Sequence, residues 1–208
     1  MPHPLPDKSE QLKLNREYRR RQRELWDEYR DKYKDKDEKP EFRFPWRITD
    51  LVTLGSPLTY AEFLLAKNSK EFSEAKDQRE FPTCPPRRND ERDDEKKHGE
   101  HGLLKRVLPG KASERGQVSI LHHGALFACT RWTNLYFPGD IIGGPLAFVP
   151  HPCNPSERVE LFGLGVRDVE LQGRSAHRKV SHVKYWAAAE ESAVKDLRDA
   201  LNLDLGNV

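Results

Sequence analysis

The sequence predicts an α/β protein, a partial parallel β-sheet with flanking helices, preceded by a long charged helix. Three observations lead there. Asp50 opens the near-continuous apolar run Leu51-Val52-Thr53-Leu54, which ends at Gly55-Ser56-Pro57 and gives way to an apolar helical segment; such a run suits a parallel strand covered on both faces. Trp132 to Tyr136 and "GVRDVELQ" (165–172) supply two further strand candidates. Near the end, Ala189, Ala193, Leu197 and Leu201 recur at intervals of four, a helical face ready to pack.

Taken in chain order, the first 40 residues form a Pro-rich tail and a charged helix. The stretch from Lys8 to Glu38 contains neither Gly nor Pro and is rich in helix formers. Leu14, Tyr18, Leu25, Tyr29 and Tyr33, with Trp26 beside them, make a narrow apolar stripe that calls for a partner surface. The Arg19 to Arg23 cluster is flanked by Glu17, Glu24, Asp27 and Glu28, so it reads as a solvated, ion-paired face.

Residues 41–208 form the α/β unit. A polar insertion interrupts it at about 70–116, centred on "PTCPPRRNDERDDEKKHGEHG", whose apolar content is too low to offset the entropy of ordering. Apolar and aromatic residues return from Gln117, and Trp132 to Tyr136 lead into Phe137-Pro138-Gly139-Asp140. Val166, Val169 and Leu171 are the buried candidates of the third strand, and a polar loop carrying His177 and His182 connects it to the last helix.

Composition limits the function classes. Of 208 residues 34% are charged and 36% hydrophobic, and the mean hydropathy is −0.88, so long segments must be solvated. A net charge of +2 gives no general attraction to nucleic acid or to an anionic membrane. No run approaches the roughly 20 apolar residues of a spanning helix, and Cys84, Cys129 and Cys153 stand in no metal-ligand spacing; a cytoplasmic protein with reduced thiols is expected. His122 and His123, with His98, His101 and Cys129, lack the closed spacing of a zinc site, so neither metal nor cofactor is expected. The prolines around His151 and Cys153 describe a rigid surface loop rather than a nucleophile–base pair.

"TLGSPL", "WTNLYFPGD" and "SHVKYW" follow in the order strand–turn–helix, strand–acid, and strand–loop–histidine–helix. That order resembles the C-terminal half of an α/β-hydrolase of the lipase and esterase kind. The resemblance covers about Phe44 to Leu203 and implies a partial sheet of that type. It makes Asp140 the acid and His182 the general base of an ester-hydrolysing site acting on an acyl compound. His182 is preferred to His177 because Tyr185 and Trp186 follow it as aromatic anchors. By local chemistry alone, Asp140 is a turn residue.

The departure from the family pattern is equally definite. No G-x-S-x-G elbow occurs, and Ser56 in "LGSPL" does not replace it. The expectation is therefore a rear portion of a lipase-like protein, inactive by itself, whose uncovered sheet self-associates or is covered by the helix from Lys8 to Glu38, self-association or a protein partner being expected for the chain. The alternative is a non-catalytic interaction scaffold that uses the charged N-terminal helix.

Overall fold

The structure is a computed structural model and describes residues 7–33, 48–87, 105–107, 119–121, 123–151, 154–172, 181–186 and 191–201. In chain order its elements are α1 (Lys8–Tyr33), β1 (Asp50–Leu54), α2 (Ala61–Leu65), α3 (Ser69–Asp77), β2 (Lys105–Val107), β3 (Ser119–Leu121), β4 (Arg131–Tyr136), β5 (Phe148–His151), β6 (Asn154–Glu160), β7 (Arg167–Glu170) and α4 (Glu191–Ala200). Short 3-10 turns lie at Pro57–Tyr60, His123–Ala128 and Ser181–Lys184.

The central sheet has the order β1-β4-β7, and both pairings are parallel. Leu54 lies opposite Leu135, and Asn134 opposite Asp168. All three strands therefore end at one rim. β4 is the middle strand and carries the burial: Thr133, Asn134 and Leu135 are all enclosed. Alternation along β4 divides the core. On one face Trp132 joins Phe72, Leu146, Phe162 and Val166; on the other Leu135 joins Leu171 and Tyr185, with Leu197 of α4 packed against them.

Four expectations are corrected here. First, β1 is not covered on both faces. It is an edge strand with β4 as its strand neighbour among the described residues, and Leu51 is 36% exposed.

Second, the insertion expected from residue 70 does not begin there. Asn68 caps α3, its side chain accepting from the Glu71 N–H at 2.9 Å, and α3 buries Phe72, Ala75 and Lys76. Cys84 beyond it is fully enclosed. The sequence hides this because one buried position is a lysine: the Lys76 ammonium donates to the carbonyls of Glu160 and Leu161 and lies 4.7 Å from the Phe72 ring centroid. Most of 88–116 lies outside the described residues, apart from β2.

Third, the proline-flanked segment at His151 is not a loop throughout. β5 and β6 pair antiparallel, with a register irregularity at Pro150/His151; Pro152 and Cys153 lie outside the described residues.

Fourth, α1 docks by only part of its apolar stripe: Tyr18 and Trp26 face inward, while Leu14 and Leu25 do not. Leu14 and Leu25 are 38% and 46% exposed, whereas Asn15 and Gln22 are buried. The inward face is a row of side-chain donors aimed at backbone carbonyls. Asn15 donates to Leu164 O at 2.8 Å, Tyr18 to Phe127 O at 2.5 Å, Gln22 to Phe127 O and Thr130 O at 3.0 Å each, and Trp26 to Cys129 O at 2.8 Å. Arg19, read as solvated, turns inward to Trp132 O and the Thr133 hydroxyl; burial and the neighbouring Arg167 and Arg131 lower its pKa to about 10. Arg20 and Arg21 do pair with Glu17 on the outer face. The side chains of Tyr29 and Tyr33 lie outside the described residues.

The carbonyls of Phe127, Cys129, Thr130 and Leu164 precede β4 and β7, so these bonds anchor α1 to the segments that lead into the two strands. Among the described residues no helix is long and apolar enough to cross a membrane.

Candidate functional site

At the carboxyl rim, β1 leads into Gly55 and β4 into Phe137. The Gly55 N–H donates to Leu135 O at 2.9 Å, which extends the parallel ladder one step beyond β1. Asp140 closes a turn after β4, its N–H donating to Phe137 O at 3.0 Å. Its Oδ1 accepts from the Ile142 N–H at 2.9 Å, the local hydrogen bond that suits Asp to turns.

The other oxygen is committed elsewhere. Asp140 Oδ2 lies 3.0 Å from Nδ1 of His182 and 2.8 Å from the Tyr185 hydroxyl. The structure thus brings together the two residues singled out in the sequence, at the end of the middle strand and beyond the end of β7. The Asp140 side chain is fully enclosed, while that of His182 is 34% exposed. Burial by itself pushes the Asp140 carboxyl up, but donors from Ile142, Tyr185, Gly143 and His182 together outweigh it and hold the group below its ordinary value. An ionised Asp140 favours the tautomer in which Nδ1–H of His182 donates to it, leaving Nε2 as the acceptor.

Tyr185 completes the cluster. It is 5% exposed, its hydroxyl accepts from the Phe137 N–H at 3.0 Å, and its ring packs on Phe137 with centroids 4.9 Å apart. Burial raises its pKa, so it stays a donor toward Asp140. Of the two aromatic anchors expected beside His182, only Tyr185 serves; Trp186 is 77% exposed. His177 lies outside the described residues.

Two further groups shape the rim and were not singled out. Gly143 lies so close to the backbone of Gly55 that a β-carbon there would overlap it, and a β-carbon on Gly55 (φ +54°) would meet the Tyr185 ring and stand 2.8 Å from Asp140 Oδ2. The Gly-Gly pair thus lets the acid loop cross the end of β1. Asp168 on β7 binds the N–H groups of Leu146 and Ala147 and the Asn134 side-chain amide. Asn134 in turn accepts from the Thr53 hydroxyl at 3.0 Å, tying all three strands together. Composition signals neither group, since both act on backbone distant in sequence.

Ser56 is buried, and its hydroxyl accepts from the Leu58 N–H at 3.3 Å as a cap for the turn that follows. Around the rim, Phe63, Ile141, Val183 and Trp186 are between 61% and 77% exposed. Cys129 is buried, and the His98, His101 and His122 side chains lie outside the described residues; among the described residues no group of three or more His, Cys, Asp or Glu is placed to hold a metal ion. Compared with family models, curated proteins and solved structures, the chain matches none.

Proposed function

We propose that Asp140 and His182 are the acid and base positions of a serine-hydrolase-type site for acyl esters, carried by a chain that needs its nucleophile from a complementing polypeptide segment. One observation carries this reading: a carboxylate and an imidazole meet at 3.0 Å beyond the carboxyl ends of β4 and β7, neighbouring parallel strands. In such a site Asp140 fixes the imidazole tautomer and stabilises the imidazolium. Nε2 takes the proton of an attacking hydroxyl and later delivers it to the leaving alcohol.

The rest of the rim supports complementation. β1 presents an unpaired edge among the described residues, and its five residues carry no Lys, Pro or bulge of the kind that blunts a free edge. Exposed apolar side chains directly follow each member of the pair in sequence, Ile141 and Ile142 after Asp140 and Val183 after His182. A strand laid parallel along β1 would end at the same rim as Asp140 and could present a serine there.

Hydrolysis of p-nitrophenyl butyrate tests this. The chain alone should show no turnover. Joined to, or mixed with, a segment from its own upstream reading frame that supplies a strand and G-x-S-x-G, it should gain activity that His182→Ala abolishes. Turnover by the chain alone that survives His182→Ala would sink the proposal, as would complemented activity indifferent to that change.

The scaffold reading keeps one specific observation on its side. Asp140 Oδ2 engages two groups from the segment 181–186, so the pair also clasps that segment to the sheet. On that reading His182→Ala lowers stability and complementation yields no esterase.

A further inference from the structure

Asp140 Oδ2 faces two side chains from a single short segment. Nδ1 of His182 lies 3.0 Å away and the Tyr185 hydroxyl 2.8 Å away, and the two rings stand edge to face with centroids 6.1 Å apart. The other carboxylate oxygen accepts from the Ile142 N–H. Imidazole and phenol therefore share one acceptor.

The phenol is fixed in that position. Its ring packs on Phe137, with centroids 4.9 Å apart, and lies so close to Gly55 that a β-carbon there would stand 2.4 Å from it. Its hydroxyl accepts from the Phe137 N–H at 3.0 Å, which turns its own proton toward Asp140 and polarises it in that direction. Burial raises the pKa of the phenol, so the proton stays in place. A donor held in this way withdraws charge from Oδ2. Less is then left to draw on Nδ1–H of His182.

We propose that Tyr185 is a positioning residue that sets the strength of the Asp140–His182 hydrogen bond: its hydroxyl keeps Oδ2 aimed at Nδ1 and moderates the pull of that oxygen on the imidazole. The claim about the bond stands on the three side chains alone; its use in tempering Nε2 as a base rests on the acyl-ester reading. Without the hydroxyl, the charge on Oδ2 bears on the imidazole undivided, and the bond to His182 tightens. A hydroxyl that only clasped the segment 181–186 to the sheet would act in the opposite sense, because its loss would free the segment and loosen that bond.

Proton NMR of the full chain, with the histidine ring nitrogens isotopically labelled, separates the two and requires no esterase activity. The wild-type chain should give a low-field Nδ1–H resonance that is missing from His182→Ala. In folded Tyr185→Phe the resonance should move further downfield. Replacing Tyr185 by an ortho-fluorinated tyrosine keeps the ring and the hydroxyl and makes the hydroxyl a stronger donor, so the resonance should move upfield. Its absence from the wild-type chain, its loss or upfield movement in folded Tyr185→Phe, or no upfield movement with the fluorinated side chain would overturn the proposal. Should both shifts appear while complementation yields no esterase, the acyl-ester reading falls and the role of Tyr185 at the hydrogen bond stands.

Discussion

The Tyr185 hydroxyl lies 2.8 Å from Oδ2 of Asp140, the same oxygen that faces Nδ1 of His182. Because that hydroxyl also accepts from the Phe137 N–H, one side chain ties the acid to the strand before it. Asp140 is therefore held by more than its own turn.

Tyr185→Phe removes both hydrogen bonds and keeps the ring on Phe137. A buried N–H loses its acceptor and a buried carboxylate loses a donor, a cost of about 2 kcal/mol. For a chain of this size the midpoint of thermal unfolding should fall by about 4–8 °C. A shift within about 1 °C would mean that the bridge carries no stability.

Gly143→Ala tests the crossing of the acid loop over β1. A β-carbon would overlap the Gly55 backbone, which cannot yield as a side-chain tip can. Overpacking of this kind costs about 1–3 kcal/mol. Urea denaturation should show that loss, and a neutral result would show that the two segments do not touch.

Which face of α1 docks is settled by comparing two substitutions. Gln22→Ala removes the bonds to Phe127 O and Thr130 O and leaves both carbonyls to find new donors; about 1–3 kcal/mol should be lost. Leu25→Ala changes a residue that is 46% exposed and should stay within about 0.5 kcal/mol. The reverse order in denaturant titrations would put Leu25 rather than Gln22 in the docking face.

Lys76 gives a pH signature. Burial lowers its pKa from 10.5 to about 8. The unfolded chain keeps this proton up to about pH 10.5 while the folded chain releases it from about pH 8, so between those values the unfolded state binds more protons. This residue's contribution to stability therefore rises as pH climbs through that window, and the penalty of a buried charge is full below pH 8. The Cys84 thiol, pushed by burial from 9.0 up to about 12, acts in the opposite sense above pH 9. Unfolding free energies of the wild-type chain and Lys76→Met should accordingly be compared at pH 7.5 and 9. The difference should shift in favour of the wild-type chain at the higher pH, and a constant difference would contradict the buried-ammonium account.

The sequence determined the three parallel strands almost to the residue. Asp50–Leu54, Arg131–Tyr136 and Arg167–Glu170 all fall within or against the apolar runs read from it. The pairing of Asp140 with His182 came from the resemblance to the hydrolase order, since by local chemistry alone Asp140 is a turn residue; the structure brings the two side chains to 3.0 Å. The tertiary structure decided the rest: that β1 is an edge among the described residues, that Phe72 and Cys84 belong to the core, that α1 faces inward with Asn15, Gln22 and Trp26, and that Tyr185 and Gly143 complete the rim. Apolar periodicity is written along the chain, so strands and helical faces can be read from it. A side-chain donor meeting a backbone carbonyl more than a hundred residues away, as Gln22 meets Thr130, leaves no periodic mark. Its acceptor exists only once the chain has folded.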